Sequence, residues 1–172
     1  MIGSEFENRK VHIRRACYVV GLLCVVMLQN TEGLLPSFFG IRAFIVIPAL
    51  VSVAMFEREM SGMFFGLFVG LLWDVSSASG GHYQAILMTT IGFACGSLIT
   101  YLMRNNLITG ILLSGSSLLI YLLLCWMKDY IFNGNFDGAY KLITFYIPSG
   151  IYTLLFFPAF YFLVRYLRKK LD

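Results

Sequence analysis

The chain has 172 residues, 59% of them hydrophobic and 13% charged, with a mean hydropathy of +0.79 and a formal net charge of +4. Soluble domains carry about 25% charged residues, so this is the composition of an integral membrane protein. It leaves too little polar sequence for a separate soluble catalytic domain. The positive balance is not a nucleic-acid footprint, because the basic residues gather at the ends of apolar stretches rather than in one patch.

Six apolar stretches follow one another, near 14–30, 40–56, 61–75, 84–103, 107–127 and 143–166. The expected fold is therefore all-α, a single bundle of six transmembrane helices over residues 1–172. Gly3-Ser4-Glu5-Phe6 matches the translation of two adjacent cloning sites, and no argument rests on it. The basic start and first apolar stretch resemble a signal peptide. Gln29-Asn30-Thr31-Glu32 offers no small-residue cleavage site, however, so a retained first span is expected. Glu57-Arg58-Glu59-Met60 joins spans two and three, and Arg104-Asn105-Asn106 joins four and five. The longest loop, 128–142, contains the turn-forming run Asn133-Gly134-Asn135-Phe136-Asp137-Gly138. No internal repeat is evident, which argues against a repeat-built transporter.

Charge orients the bundle. With both termini inside, Arg9, Lys10, Arg14, Arg15, Arg58, Arg104, Arg165, Arg168, Lys169 and Lys170 are cytoplasmic, and only Arg42, Lys128 and Lys141 are outside. That asymmetry obeys the positive-inside rule. The C-terminal basic run also suits contact with anionic lipid or a cytoplasmic partner, although topology alone accounts for it. Trp73, Tyr83, Trp126 and Tyr130 are expected at the outer interface, and Tyr18, Tyr101, Tyr161 and Tyr166 at the inner one. Pro48, Pro148 and Pro158 lie in apolar runs, where each can kink a helix.

The third span is the most informative. Gly62, Gly66 and Gly70 recur every four residues and share one helix face, with Asp74 a turn further on. Such a face admits close approach of another backbone, from this bundle or from a partner subunit. The fourth span offers a matching stripe, Thr89, Gly92, Gly96 and Thr100, and the fifth has Gly110, Ser114 and Ser117. Three consecutive small faces suggest one tightly packed cluster.

From Gly62 to Asp74 a helix rises about 18 Å, short of a hydrocarbon core of about 30 Å. Asp74 is therefore expected near or below the outer interface, where a carboxylate is costly. A shallow outward-facing pocket lined by Trp73, Asp74, His82 and Gln84 fits this, with His82, Arg42 or Lys128 as partners of the carboxylate. The alternatives are a structural carboxylate that anchors the following loop by hydrogen bonds, and a surface residue just outside the membrane. His82 suits a proton relay or a plain surface position. Lys128 and Asp129 suit a pair across the outer mouth or two solvated charges.

Catalytic chemistry finds no support. No nucleophile with an adjacent base stands out, and no Gly-rich phosphate loop occurs. Cys17, Cys24, Cys95 and Cys125 form no C-x-x-C pair and lie in apolar stretches. With only His12 and His82, far apart, no metal cluster and no cofactor site are expected.

The stretch Gly66-Leu-Phe-Val-Gly70-Leu-Leu-Trp73-Asp74-Val-Ser76-Ser77, with Gln84-Ala85 opening the next span, resembles the bacterial rod shape-determining MreD family. In that family a G-x-x-x-G-x-x-x-D core precedes a short Ser/Gly/Pro loop and a G-x-polar-Ala start. The chain departs from the pattern at His82, where the family has glycine; Gly80 and Gly81 lie just upstream. The resemblance implies a non-catalytic inner-membrane scaffold of the cell-elongation (rod) complex, both termini cytoplasmic. Its implied partners are an MreC-like single-span protein and, indirectly, an MreB-like filament and a RodA-type peptidoglycan synthase. It also implies a fold similar to the S-components of energy-coupling transporters. That similarity keeps open a second class of function, a small-molecule-binding transporter subunit.

Overall fold

The computed structural model describes residues 2–31, 44–76, 83–133 and 147–171. These residues form six helices: α1 (Ile2–Asn30), α2 (Val46–Phe56), α3 (Glu59–Ser76), α4 (Gln84–Tyr101), α5 (Leu107–Asn133) and α6 (Ile147–Leu171). Four of them hold stretches long and apolar enough to cross a bilayer: Arg9–Asn30, Gln84–Tyr101, Leu107–Met127 and Pro148–Lys170. Their outward faces carry Val20, Met27, Ile86, Leu112, Leu119, Leu155 and Phe162, all exposed. Water would penalise those faces and hydrocarbon would not. The chain is a multi-pass α-helical membrane protein.

The second helix departs from expectation. The apolar run 40–56 suggested a span, but α2 begins only at Val46 and has 11 residues, about 16 Å of rise. Residues 40–43 lie outside the described part. Every α2 residue from Val46 to Met55 is buried, so it is the central helix, with α1, α3, α4, α5 and α6 all packed against it. The run is apolar because protein surrounds it on every side.

A short helix inside a membrane protein has orphan donors at one end and orphan acceptors at the other. Here other helices supply both sets of partners. The Val46 N–H donates to Gln29 Oε1 of α1 at 3.0 Å, and the Phe44 N–H to Thr153 Oγ1 of α6 at 3.1 Å. At the far end Asn105 Nδ2 donates to the Met55 carbonyl at 2.9 Å, and the Arg168 guanidinium to the Phe56 carbonyl at 3.0 Å. Pro48 falls in the first turn of α2, where a missing N–H costs little, and Pro148 is likewise near the start of α6. Pro158 alone lies deep within a helix.

Charged contacts gather at the end of the bundle holding the start of α1, the end of α2 and the start of α3. Arg14 Nε pairs with Glu57 Oε1 at 3.0 Å, Arg15 Nε approaches Glu57 Oε2 at 3.7 Å, and Arg15 also donates to Ser61 Oγ at 3.2 Å. The Asn105 and Arg168 contacts bring the α4–α5 turn and the end of α6 to the same level. Successive helices therefore alternate in direction. Arg14 and Arg15, read above as topology signals, also neutralise a buried carboxylate.

The aromatic belt is only partly realised. Tyr101 and Tyr166 are exposed as expected, but Tyr18, Tyr161 and Trp73 are buried. Tyr18 meets Phe65 edge-on at 6.2 Å, and Tyr161 lies 5.3 Å from the Phe56 ring. Ring packing inside the bundle has won over the interface for these residues. The small face of α5 also divides. Ser117 reaches Cys95 of α4 at 3.4 Å, whereas a Cβ at Gly110 would strike the Phe157 ring of α6. The tight cluster is thus α3 with α4, and α5 packs mainly on α6 and α2.

Replacing Asn105 with Ala should leave the Met55 carbonyl unpaired, at a cost of about 1–3 kcal/mol. The purified protein should melt at a lower temperature, while Asn106→Ala, at an exposed position, should melt like wild type.

Candidate functional site

The glycine face of α3 runs along α4 in antiparallel register. A Cβ added at Gly62 would lie 2.6 Å from the Gly92 carbonyl oxygen. One at Gly66 would fall against the Met88 carbonyl and 3.0 Å from the Thr89 Cα. One at Gly70 would collide with the Ala85 Cα and sit 2.8 Å from the Gln84 carbonyl oxygen. On α4, Gly92 returns the contact to Gly62, and a Cβ at Gly96 would come within 2.9 Å of the Glu59 Cα. Each obstacle is backbone, which cannot swing away as a side chain could. The five glycines Gly62, Gly66, Gly70, Gly92 and Gly96 thus form one seam, and its partner is the next helix of the same chain.

The seam delivers Asp74 to the start of α4. Its Oδ1 accepts the Gln84 N–H at 3.2 Å and its Oδ2 the Ala85 N–H at 3.0 Å. These are among the first N–H groups of α4, which lack intrahelical acceptors. The residue in the N-cap position, Tyr83, makes no side-chain cap. A carboxylate from another helix takes its place, so that Asp74 is an N-cap supplied in trans. Its charge also meets the positive end of the α4 dipole, and charge-assisted bonds of this kind are among the stronger ones. Asp74 is 7% exposed, which rules out the surface reading, and its two backbone partners agree with the anchoring reading. His82, Arg42 and Lys128, considered above as partners, lie outside the described side chains.

Around the cap is an aromatic wall. Phe44 stacks on Trp73 at 6.2 Å and meets Tyr121 of α5 edge-on at 5.3 Å, and Trp73 and Tyr121 are 6.1 Å apart. Gln84 Nε2 donates to the Tyr121 hydroxyl at 3.1 Å, while its Oε1 is buried and has no hydrogen-bond partner among the described residues. Asp74, Gln84 and Tyr121 are joined by hydrogen bonds, and Trp73 and Phe44 reach them through ring contacts with Tyr121. Tyr121 was not singled out from the sequence. Its only signal was a hydroxyl in the middle of an apolar run, and buried tyrosines usually find a partner. Thr153 gave the same faint signal, and Gln29, at the head of a polar run, gave none.

Among the described residues no three His, Cys, Asp or Glu side chains come together as a metal site. The four cysteines are free, Cys95 buried and Cys24 exposed. No protein-family model matches the chain, and no curated protein or solved structure matches it.

Two substitutions at this site have distinct expected sizes. Asp74→Ala removes both acceptors and should cost about 2–3 kcal/mol, whereas Asp74→Asn keeps one amide oxygen and should cost about half as much. Melting temperatures of the purified variants should rank wild type, Asn, Ala. Gly70→Leu should be worse than either, because it forces the two backbones apart. If the leucine variant is produced and melts like wild type, the seam does not hold the helices.

Proposed function

We propose that this chain is a non-catalytic scaffold subunit of a bacterial cell-elongation complex, of the MreD type. In this reading it lies in the inner membrane with six crossings, both termini cytoplasmic, and an S-component-like bundle. It binds an MreC-like single-span protein and, through it, helps organise an MreB-like filament and a RodA-type synthase. The observation that carries the proposal is the use made of the shared motif. Gly66, Gly70 and Asp74 are all engaged in closing α3 onto α4, with both carboxylate oxygens on backbone amides. A motif engaged in this way holds a helical hairpin together, a structural use that suits a scaffold. The alternation of helix direction and the basic asymmetry of the sequence support the six-crossing count.

A second reading, a transporter subunit that binds a small molecule, rests on the buried Gln84 Oε1, an acceptor with no donor among the described residues. Affinity purification from native membranes, with mass spectrometry of proteins and small molecules, separates the two. The scaffold reading expects an MreC-like protein in stoichiometric amount and no retained metabolite. A retained small molecule without that protein would overturn it.

Three further outcomes follow from the scaffold reading. Asp74→Ala should impair rod-shape complementation at normal expression, while Val75→Ala, at an exposed position, should not. Single cysteines at Asn135 and Arg168, in a background free of the native cysteines, should label from opposite sides of the membrane. The purified protein alone should turn over no lipid-linked cell-wall precursor.

A further inference from the structure

Helices in this bundle satisfy most of their hydroxyl groups locally. Ser52, Thr89, Thr90, Ser97, Thr100 and Thr153 each donate to the carbonyl four residues back in the same helix. Two serines of α5 do not. Ser114 is fully buried, and its Oγ has no hydrogen-bond partner among the described residues. Ser117, also buried, turns to Cys95 of α4 instead, at 3.4 Å.

Both serines lie near the middle of the apolar stretch Leu107–Met127. At that depth hydrocarbon offers a polar group no hydrogen bond, and a buried hydroxyl without a partner is costly.

The neighbouring contact has a similar shortfall. Cys95 and Ser117 each carry one polar hydrogen, and either can donate to the other, but only one of them at a time. One donor of the pair is therefore left over. Ser114 and Ser117 are three residues apart on one helix face, which sets their Cβ atoms about 5–6 Å from each other. Two hydrogen bonds of about 2.8 Å set end to end cover that interval. A single small molecule that both donates and accepts bridges the two hydroxyls, whichever way the Cys95–Ser117 bond runs. Water has that property, and two polar partners are enough to hold a buried one.

The location matters to the bundle. α5 packs mainly on α6 and α2 and touches α4 little. Gln84–Tyr121 and Cys95–Ser117 are hydrogen bonds between α4 and α5, and Ser114, Ser117 and Tyr121 share one face of α5 at steps of three and four. A water on Ser114 and Ser117 extends that polar stripe by one turn.

We infer that Ser114 and Ser117 hold one buried water molecule in the interior of the bundle, beside Cys95, where it completes the polar joint between α4 and α5. The site is independent of the scaffold reading.

Melting temperatures of the purified Ser114→Ala, Ser117→Ala and double variants test this, together with water-edited solid-state NMR of the serine-labelled protein in liposomes. Ser114→Ala should lower the melting temperature, because Ser117 loses the bridge with it. The double variant should melt close to the worse of the two single variants, since either substitution already releases the water. In wild type the Ser114 and Ser117 signals should receive magnetisation from water, and Ser114→Ala should remove the transfer to Ser117. A Ser114→Ala protein that melts at or above the wild-type temperature would overturn the inference, because removing a hydroxyl that bonds to nothing relieves a cost. Additive losses in the double variant would overturn it too, by making the two hydroxyls independent. Coupled losses without transfer from water would do the same, by making the contact a direct Ser114–Ser117 bond.

Discussion

Hydrocarbon offers no hydrogen bonds, so every helix end placed inside a bilayer must find its partners in protein. This structure buries the start of α4 and the ends of α2 among other parts of the chain and satisfies them from a distance. The start of α4 is closed by Asp74 of α3. The ends of α2 are closed by Gln29, Thr153, Asn105 and Arg168, from α1, α6, the α4–α5 turn and α6 again. Each cap requires the capping helix to be at the right height and rotation, and so each fixes the arrangement of its neighbours. Of these, the Asp74 cap is the most demanding, because a carboxylate deprived of its donors would remain as an uncompensated buried charge.

The glycine seam and the cap depend on each other. Without side chains at Gly62, Gly66 and Gly70 the α3 and α4 backbones meet, and only at that separation does Asp74 reach the Gln84 and Ala85 amides. The cap in turn prevents the hairpin from sliding, since a shift of one residue along α4 would exchange orphan N–H groups for bonded ones. Dispersion along the seam supplies attraction where no hydrophobic force acts between helices, and the cap supplies register. The aromatic wall of Phe44, Trp73 and Tyr121 then carries this register to α5 through the Gln84–Tyr121 hydrogen bond.

The opposite face of the bundle follows another logic. An apolar groove over Ala49 and Val53 of α2 is bounded by α1 and α6, the two helices with the least buried spans. A tight hairpin in one part of the bundle and an open apolar groove in another are two ways in which its helices meet.

Much of this was legible in the order of residues. Composition determines that the chain lives in a membrane, because 59% hydrophobic and 13% charged residues admit no other solvent. The four-residue spacing of Gly62, Gly66, Gly70 and Asp74 determines that one helix face is bare and ends in a carboxylate, because helical periodicity is local. What those groups touch was decided only in three dimensions. The sequence offered three cations for Asp74, all outside the described side chains, but gave no sign of the two backbone amides that it accepts from, because amides carry no residue-type signal. The run 40–56 read as a span like the others. Only packing reveals that the helix within it is 11 residues long and central, because burial by protein and burial by lipid select the same apolar residues. Tyr121 and Thr153 were isolated polar groups in apolar runs, and Gln29 the first of a polar run, until neighbouring parts of the bundle gave them partners. Periodicity along one helix can be read from its own residues, but a hydrogen bond between helices depends on their relative height and rotation, which only the assembled bundle determines.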